Sequence, residues 1–330
     1  MRPYPTVCLA IPLHNEAAVV PELVRQVRGL LDRLPAGPHA ALFVDDGSTD
    51  ETLRYLEPAV QEDVRLQVVA LSRNFGHQAA LTAALDHADG DVIIVMDGDL
   101  QDSPEEAPRF IEKYLEGYDV VYAQRCSRKE PWPLRACYFL FYRLLSRLSD
   151  VDLPLDAGDF GLMSRRVVEQ LRRMPEHHRY LRGLRSWVGF RQTGIEVERS
   201  ERHAGVSKYN LLRLLKLASD GIFAFSIVPI RAAALLGAAT IAGSTLFTLY
   251  ALYSRMFLDR SPRGFTALTV LLVFLSGVLL LFLGIIGEYV GRVYEEVKGR
   301  PNYVVSRLIR CERAPRDADY SDRYTARVLR

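Results

Sequence analysis

Two stretches without a charged residue, 232–254 and 264–287, constrain this chain more than any other feature. They run 23 and 24 residues. As helices rising about 1.5 Å per residue, each would reach about 35 Å, enough to cross a hydrocarbon core about 30 Å thick. The linker 255–263 leaves room for little more than a turn. The pair therefore reads as a transmembrane hairpin. Two helices buried in a soluble core are the alternative, but such helices seldom extend so far without a charge. This placement accounts for a mean hydropathy of +0.01 in a chain that is 25% charged. No signal peptide is expected, because the first apolar run is short and broken by His14, Asn15 and Glu16.

The 330 residues suffice for about two domain-sized units. Between residues 6 and 125, apolar runs alternate with helical periods. Strands are expected at 6–11, 41–44, 66–71, 92–96 and 120–123, and helices at 17–31, 51–60, 77–87 and 104–116. Such alternation implies an α/β fold with a parallel-dominated sheet covered on both faces. Ligands of these sheets bind at the carboxyl ends of the strands. The polar motifs fall there: PLHNE after Ile11, DDGSTD after Val44, SRNFGHQ after Leu71, DGDLQD after Met96, and Gln124-Arg125 after Ala123. Polar loops gathered on one edge make a site.

Charge and cysteine content narrow the function. Lys plus Arg number 42 against 40 for Asp plus Glu, a net charge of +2 that argues against a nucleic-acid binder. Cys8, Cys126, Cys137 and Cys311 form no CxxC pair and read as free thiols of a reducing compartment. Segment 134–148 is apolar with Arg135, Arg143 and Arg147 on one helical face, and 208–225 sets Arg213, Lys216 and Asp220 against a run of leucines. Apolar helices with a basic stripe suit the plane of a membrane interface, and the nearby hairpin favours that over packing on the sheet.

The chemistry begins at Asp97-Gly98-Asp99. Two carboxylates this close, at the end of a buried apolar strand, repel one another unless a cation sits between them. A hard divalent ion with oxygen ligands removes the repulsion and keeps positions open for phosphate oxygens. Gln101 can add a neutral oxygen. A turn with an aspartate cap is the alternative for an isolated DxD. The second motif, Asp45-Asp46-Gly47-Ser48, tips the balance, because Asp46 at another strand end would reach a ribose or base edge. No Gly-x-Gly-x-x-Gly or Walker sequence is present, so a metal-held diphosphate replaces a glycine cradle.

The order IPLHNE, VDDGSTD, DGDLQD resembles the nucleotide-sugar domain of the family 2 glycosyltransferases. LSRNFGHQAAL, GDFGLMSRRVV, WVGFRQT, DGIFAFSIVP and GEYVGRVYEEVK narrow the resemblance to the polyprenyl-phosphate glycosyltransferases, the bactoprenol glucosyltransferase group and, more distantly, dolichol-phosphate-mannose synthase. It covers about residues 5–308. It implies a glycosyltransferase A-type domain over 1–228 that includes the interfacial helices, a hairpin over 229–288 and a cytoplasmic segment over 289–330. The implied reaction is inverting transfer of a sugar from a nucleotide sugar, UDP-glucose in the closer bacterial resemblance, to undecaprenyl phosphate with Mg²⁺ or Mn²⁺. GDP-mannose is the alternative donor.

Motif by motif, the resemblance places Pro12, Asn15 and Glu16 along the base pocket, with Asp46 and Arg73 among the nucleotide-sugar contacts. Asp97, Asp99 and Gln101 match the metal triplet, Asp97 touching the donor and Asp99 counting also as catalytic. Asp159 of GDF matches the acidic residue taken as catalytic. Arg125, Arg202, Ser207 and Lys208, and more loosely Arg135, match groups that receive the acceptor phosphate; Arg125, Arg202 and Lys208 also count as catalytic. Two positions depart from the pattern: His14 stands where Tyr is usual, and Gly161 where relatives often carry Arg.

A lipid monophosphate is mostly dianionic at neutral pH, so the nucleophile needs cationic positioning more than deprotonation. Asp159 is then a base, an orienting acceptor for an arginine, or a sugar contact. A processive polysaccharide synthase is disfavoured because Gln170–Met174 lacks the Trp of QxxRW, and a non-catalytic scaffold because the acidic residues are all retained. Expected partners are a nucleotide sugar, a polyprenyl phosphate, the membrane and, as an option, a second copy of the chain; nucleic acid is not among them. The basic residues flanking the hairpin give no clear orientation. Nucleotide sugars are cytosolic, which puts the catalytic domain of a multi-pass inner-membrane protein in the cytoplasm.

Overall fold

A computed structural model describes residues 3–35, 37–125, 157–177, 179–197, 228–257 and 264–311. The first strand, β1 (Val7–Leu13), is buried along its whole length. That is what an unbroken apolar run does in a sheet covered on both faces. Next come α1 (Val20–Arg33), β2 (Ala40–Asp45), α2 (Thr52–Glu62), β3 (Leu66–Leu71), α3 (His77–His87) and β4 (Val92–Val95). A 3₁₀ turn at Pro104–Glu106 leads into α4 (Ala107–Leu115) and β5 (Val120–Arg125). The five expected strands and four expected helices are all present. Only their ends move. Helix α1 starts at Val20, after a turn at 17–19 whose Ala17 N–H donates to the Asp50 carboxylate (3.1 Å).

The sequence pattern missed five elements: β6 (Ala157–Ser164), α5 (Arg165–Arg173), α6 (Leu181–Trp187), β7 (Gln192–Val197) and β8 (Val305–Arg310). In β6 two glycines and Asp159 interrupt the apolar run, while β7 and β8 are edge strands whose residues are largely half-buried or exposed. The sheet runs β7-β5-β6-β4-β1-β2-β3-β8. Six of these strands point one way; β6 and β8 are antiparallel to their neighbours. Helices α1, α2 and α4 close one face around Phe43 and Phe110, and α3, α5 and α6 close the other around Leu81 and Val167. Cys8 and Cys311 are buried free thiols, and burial pushes the Cys8 thiol up to about 12.

Two long helices follow, α7 (Val228–Phe257) and α8 (Phe265–Val297), which touch one another. Among the described residues one window, Phe274–Val297, is long and apolar enough to cross a membrane, with a mean hydropathy of 1.9 and none of it buried. The chain then returns to the sheet. The His177 N–H donates to the Glu296 carboxylate (2.8 Å), the Tyr303 hydroxyl to Asp86 (3.1 Å), and the Ser72 N–H to the Val304 carbonyl (2.9 Å). Strand β8 then pairs with β3, Arg307 opposite Ala70 and Ile309 opposite Val68. The expected interfacial helices at 134–148 and 208–225 lie outside the described residues.

Candidate active site

The carboxyl ends of β1, β2 and β3 are tied to one another by side chains that bond backbone. Asn15, in the left-handed region at φ 55°, accepts the Thr49 N–H on its side-chain oxygen (2.8 Å) and donates its own N–H to Ser48 Oγ (2.9 Å). The Asp46 carboxylate accepts the N–H groups of Phe75 (2.8 Å) and Gly76 (2.9 Å), fixing the loop after β3. Gly47, at φ 60°, lets that loop approach: a Cβ there would lie 2.3 Å from the Arg73 carbonyl carbon. Arg73 itself stacks on the Phe75 ring at 4.2 Å. Asp46 is thus a buried clamp between loops.

Its neighbour Asp45 faces a cavity of about 600 Å³, together with His14, Ser48, Arg73, Ser306 and Arg307. Burial raises the Asp45 pKa, against hydrogen bonding from Ser48. A second cavity of about 290 Å³ adjoins the first through His14 and Asn74, and Pro12, Glu16, His77, Asp97 and Asp99 line it. Leu100, at φ 57°, turns the chain so that Asp99 accepts the Gln101 N–H (3.1 Å). Two carboxylates on one wall are a fitting donor set for a divalent cation that takes its other ligands from phosphate oxygens and water. Among the described residues no group of three or more His, Cys, Asp or Glu is arranged to hold an ion alone.

On the far side of β4, Asp159 of β6 makes a two-pronged ion pair with the Arg182 guanidinium of α6, both contacts at 2.8 Å. His77, in the first turn of α3, stands between this pair and the DxD motif, with Nε2 3.6 Å from Asp159 and 3.7 Å from Asp97. Burial alone would raise the Asp159 pKa. Arg182 and His77 outweigh it and hold the carboxyl well below its ordinary range. Burial likewise disfavours the His77 cation, yet Asp159 and Asp97 raise its pKa overall. Arg185, one turn along α6 and 3% exposed, donates to the Gly158 carbonyl (3.3 Å) and lies over the Tyr122 ring, while its Nε and Nη2 find no partner among the described residues. Burial lowers its pKa to about 10.

The structure therefore brings Pro12, Glu16, Asp46, Asp97 and Asp99 to one cavity and Asn15, Arg73 and Asp45 to the next. Gln101 joins them through its backbone, and Arg125 ends β5, paired with Val197 of β7. Arg135, Arg202, Ser207 and Lys208 lie outside the described residues. At Gly161 a Cβ would come within 2.4 Å of the Val121 carbonyl oxygen, so the β5–β6 approach leaves no room for a side chain. Sequence reasoning did not single out Asp45, His77, Arg182, Arg185 or Arg307. His77 carried a signal in SRNFGHQ, and Asp45 in the doubled aspartate; the three arginines sit on elements the pattern did not reveal.

Residues 8–172 match the family model described as Glycosyl transferase family 2. Over 300 residues the chain is 43% identical to "Uncharacterized glycosyltransferase YkcC" of Bacillus subtilis (strain 168), covering 91% of this chain and 93% of that protein. It is 37% identical over 302 residues to the "SfII prophage-derived bactoprenol glucosyl transferase" of Shigella flexneri, covering 91% and 97%. Among solved structures it is similar to the mannosyltransferase PcManGT from Pyrobaculum calidifontis in complex with GDP-Man and Mn²⁺, at 19% identity and TM-score 0.46 over 84% of this chain and 87% of that one.

Proposed function

The chain belongs to glycosyl transferase family 2, and from that premise we propose that it transfers a sugar, glucose from UDP-glucose in the reading we favour, to a membrane polyprenyl phosphate. One observation carries the donor half of the proposal: two adjoining cavities at the carboxyl ends of β1–β4, one walled by Asp45 and the other by Asp97 and Asp99. A nucleoside fits the larger, and a diphosphate the smaller. Asp97 and Asp99, with Gln101 close by, would hold Mg²⁺ or Mn²⁺, which supplies charge neutralisation for the departing diphosphate.

The acceptor is its own nucleophile. A phosphate monoester carries most of its second negative charge at neutral pH and needs no strong base. A carboxyl held far below its ordinary pKa is a poor proton acceptor. Asp159 therefore serves best as the group that orients Arg182, one of the three roles open to it from sequence. Arg182, with Arg125, Arg135, Arg202, Ser207 and Lys208, would draw the acceptor phosphate to the sugar carbon opposite the leaving diphosphate, giving inversion.

The fold supports a hairpin anchor. Strand β8, which follows α8, lies in the same sheet as β7, the last described strand before α7. If α8 crosses the membrane, only a second crossing by α7 returns the chain to that side. This gives a multi-pass inner-membrane protein with the 1–228 domain in the cytoplasm, the hairpin at 229–288, and a 289–330 segment that rejoins the sheet. Incubation of the full chain with undecaprenyl phosphate, Mn²⁺ and a panel of UDP- and GDP-sugars tests the proposal. We expect one hexosylated lipid phosphate, strongest with UDP-glucose. Hydrolysis of the donors with the lipid untouched, or a polymer in its place, would overturn it.

A further inference from the structure

The larger cavity has a wall that the donor-binding motifs do not supply. Its floor and near side come from the loops after β1, β2 and β3, but Ser306 and Arg307 of β8 close its outer side. These residues lie more than two hundred positions from Arg73 in sequence, beyond both long helices, and reach the site because β8 pairs with β3. The pairing slips between Ala70 and Leu71, at the mouth of the cavity, opposite Arg307 and Val305. Such an irregularity re-aims side chains at the end of a strand. Arg307 is half-exposed and stands between this cavity and another of about 490 Å³ that Glu57 lines, with one guanidinium nitrogen 3.1 Å from the Glu57 carboxylate. A guanidinium has five donors, so the ion pair leaves others for a ligand.

We infer that β8 is the outer wall of the nucleobase subsite and that Arg307 is a specificity-determining residue of donor binding. The inference rests on the donor reading above and deepens it. The chemistry of the two walls is complementary. Asp45 is acceptor-only when ionised, and Arg307 is donor-only. A base edge with an imide N–H beside a carbonyl oxygen, as in uracil or guanine, satisfies both. Cytosine carries its donor on the exocyclic N4 and an acceptor at N3, so it meets the two walls only in a shifted pose. The segment behind the membrane helices thus reads the base, and donor binding depends on β8 being seated. Its seating in turn rests on the contacts that dock the foot of α8, His177 to Glu296 and Tyr303 to Asp86.

The test is calorimetry of the purified full chain in detergent, without acceptor, using UDP, uridine and CDP as probes. Arg307→Ala should weaken UDP about 10-fold or more, the effect of a lost charge-assisted hydrogen bond, and weaken uridine by the same factor. Its preference for UDP over CDP should shrink. Arg307→Lys should recover part of the loss. Glu57→Gln, which breaks the ion pair and leaves the guanidinium, should leave UDP affinity unchanged; a loss equal to that of Arg307→Ala would mean that Arg307 acts only by bracing β8. Asp45→Asn separates the two levels of argument. If it weakens UDP while Arg307→Ala does not, the β8 wall is wrong and the donor pocket stands. If neither variant weakens UDP, the donor reading fails as well.

Discussion

The two sides of strand β4 are built on different principles. On one side, the loops after β1, β2 and β3 are laced by side-chain oxygens that bond backbone N–H groups: Asn15 to Thr49, Asp46 to Phe75 and Gly76, Asp50 to Ala17. On the other, β6 and α6 meet through one buried charge cluster, with Asp159 between Arg182 and His77 and Arg185 close behind. The first arrangement ties three loops together around the cavity proposed for the donor. The second concentrates charge and, among the described residues, leaves two Arg185 nitrogens without partners. A site that must hold one anion and admit another benefits from both.

Breaking the donor side should have the largest effect. Asp99→Asn removes a charged ligand from the DxD wall and should lower kcat/KM for sugar transfer by about 10²–10³, comparable to losing a preorganised charge-stabilising group. Titrating Mn²⁺ against the rate should then give a flat response, where the unmodified chain saturates.

The charge cluster comes next, through stability. Asp159→Ala leaves Arg182 and Arg185 facing each other in a buried site, and removing one partner of a buried pair costs about 3–5 kcal/mol. Arg182 is partly exposed, so the lower end is expected, read as a fall in the denaturation midpoint of the detergent-solubilised protein. On the laced side, Asp46→Ala orphans the Phe75 and Gly76 N–H groups and should cost about 1–3 kcal/mol, together with weaker nucleotide binding as the β3 loop loosens.

The smallest effect concerns pH. The folded-state pKa of Asp159 lies below its unfolded value, so the ion pair contributes fully above about pH 4 and is lost as the pH falls below that. His77 has the opposite sign: its pKa is raised, so its contribution is complete below about pH 6.5 and disappears as the pH climbs through the folded value. Denaturation midpoints between pH 3 and 8 should therefore flatten at the acid end in Asp159→Asn and at the neutral end in His77→Gln.

The same contrast decides how much the sequence revealed. Strands β1–β5 are buried or nearly so, and buried parallel strands leave continuous apolar runs with their polar motifs at the ends; PLHNE, DDGSTD and DGDLQD could be placed by inspection. Strand β6 hides because Gly161 must admit the neighbouring strand and Asp159 must meet an arginine, which breaks the apolar pattern. Arg182 and Arg185 were invisible because nothing local marks α6 as packing behind β6. Arg307 was invisible because its edge strand pairs across both long helices. Asp46 was legible as important, and it both clamps the β3 loop and lines the smaller cavity, while its neighbour Asp45 faces the larger one. Local pattern records periodicity and burial, whereas the missed residues depend on pairings between segments far apart in the chain.

The division into a donor side and a charge-cluster side can be tested in a single variant. Asp159→Asn keeps the shape of the side chain and removes its charge, and it touches none of the loops that line the larger cavity. Calorimetric UDP affinity and the rate of transfer to undecaprenyl phosphate should be measured on the same preparation. The account predicts UDP affinity within about 3-fold of the unmodified chain and transfer lowered by about 100-fold or more, the scale of a lost preorganised electrostatic contact. A fall in UDP affinity as large as the fall in transfer would contradict it, because Asp159 and Arg182 would then belong to the donor pocket.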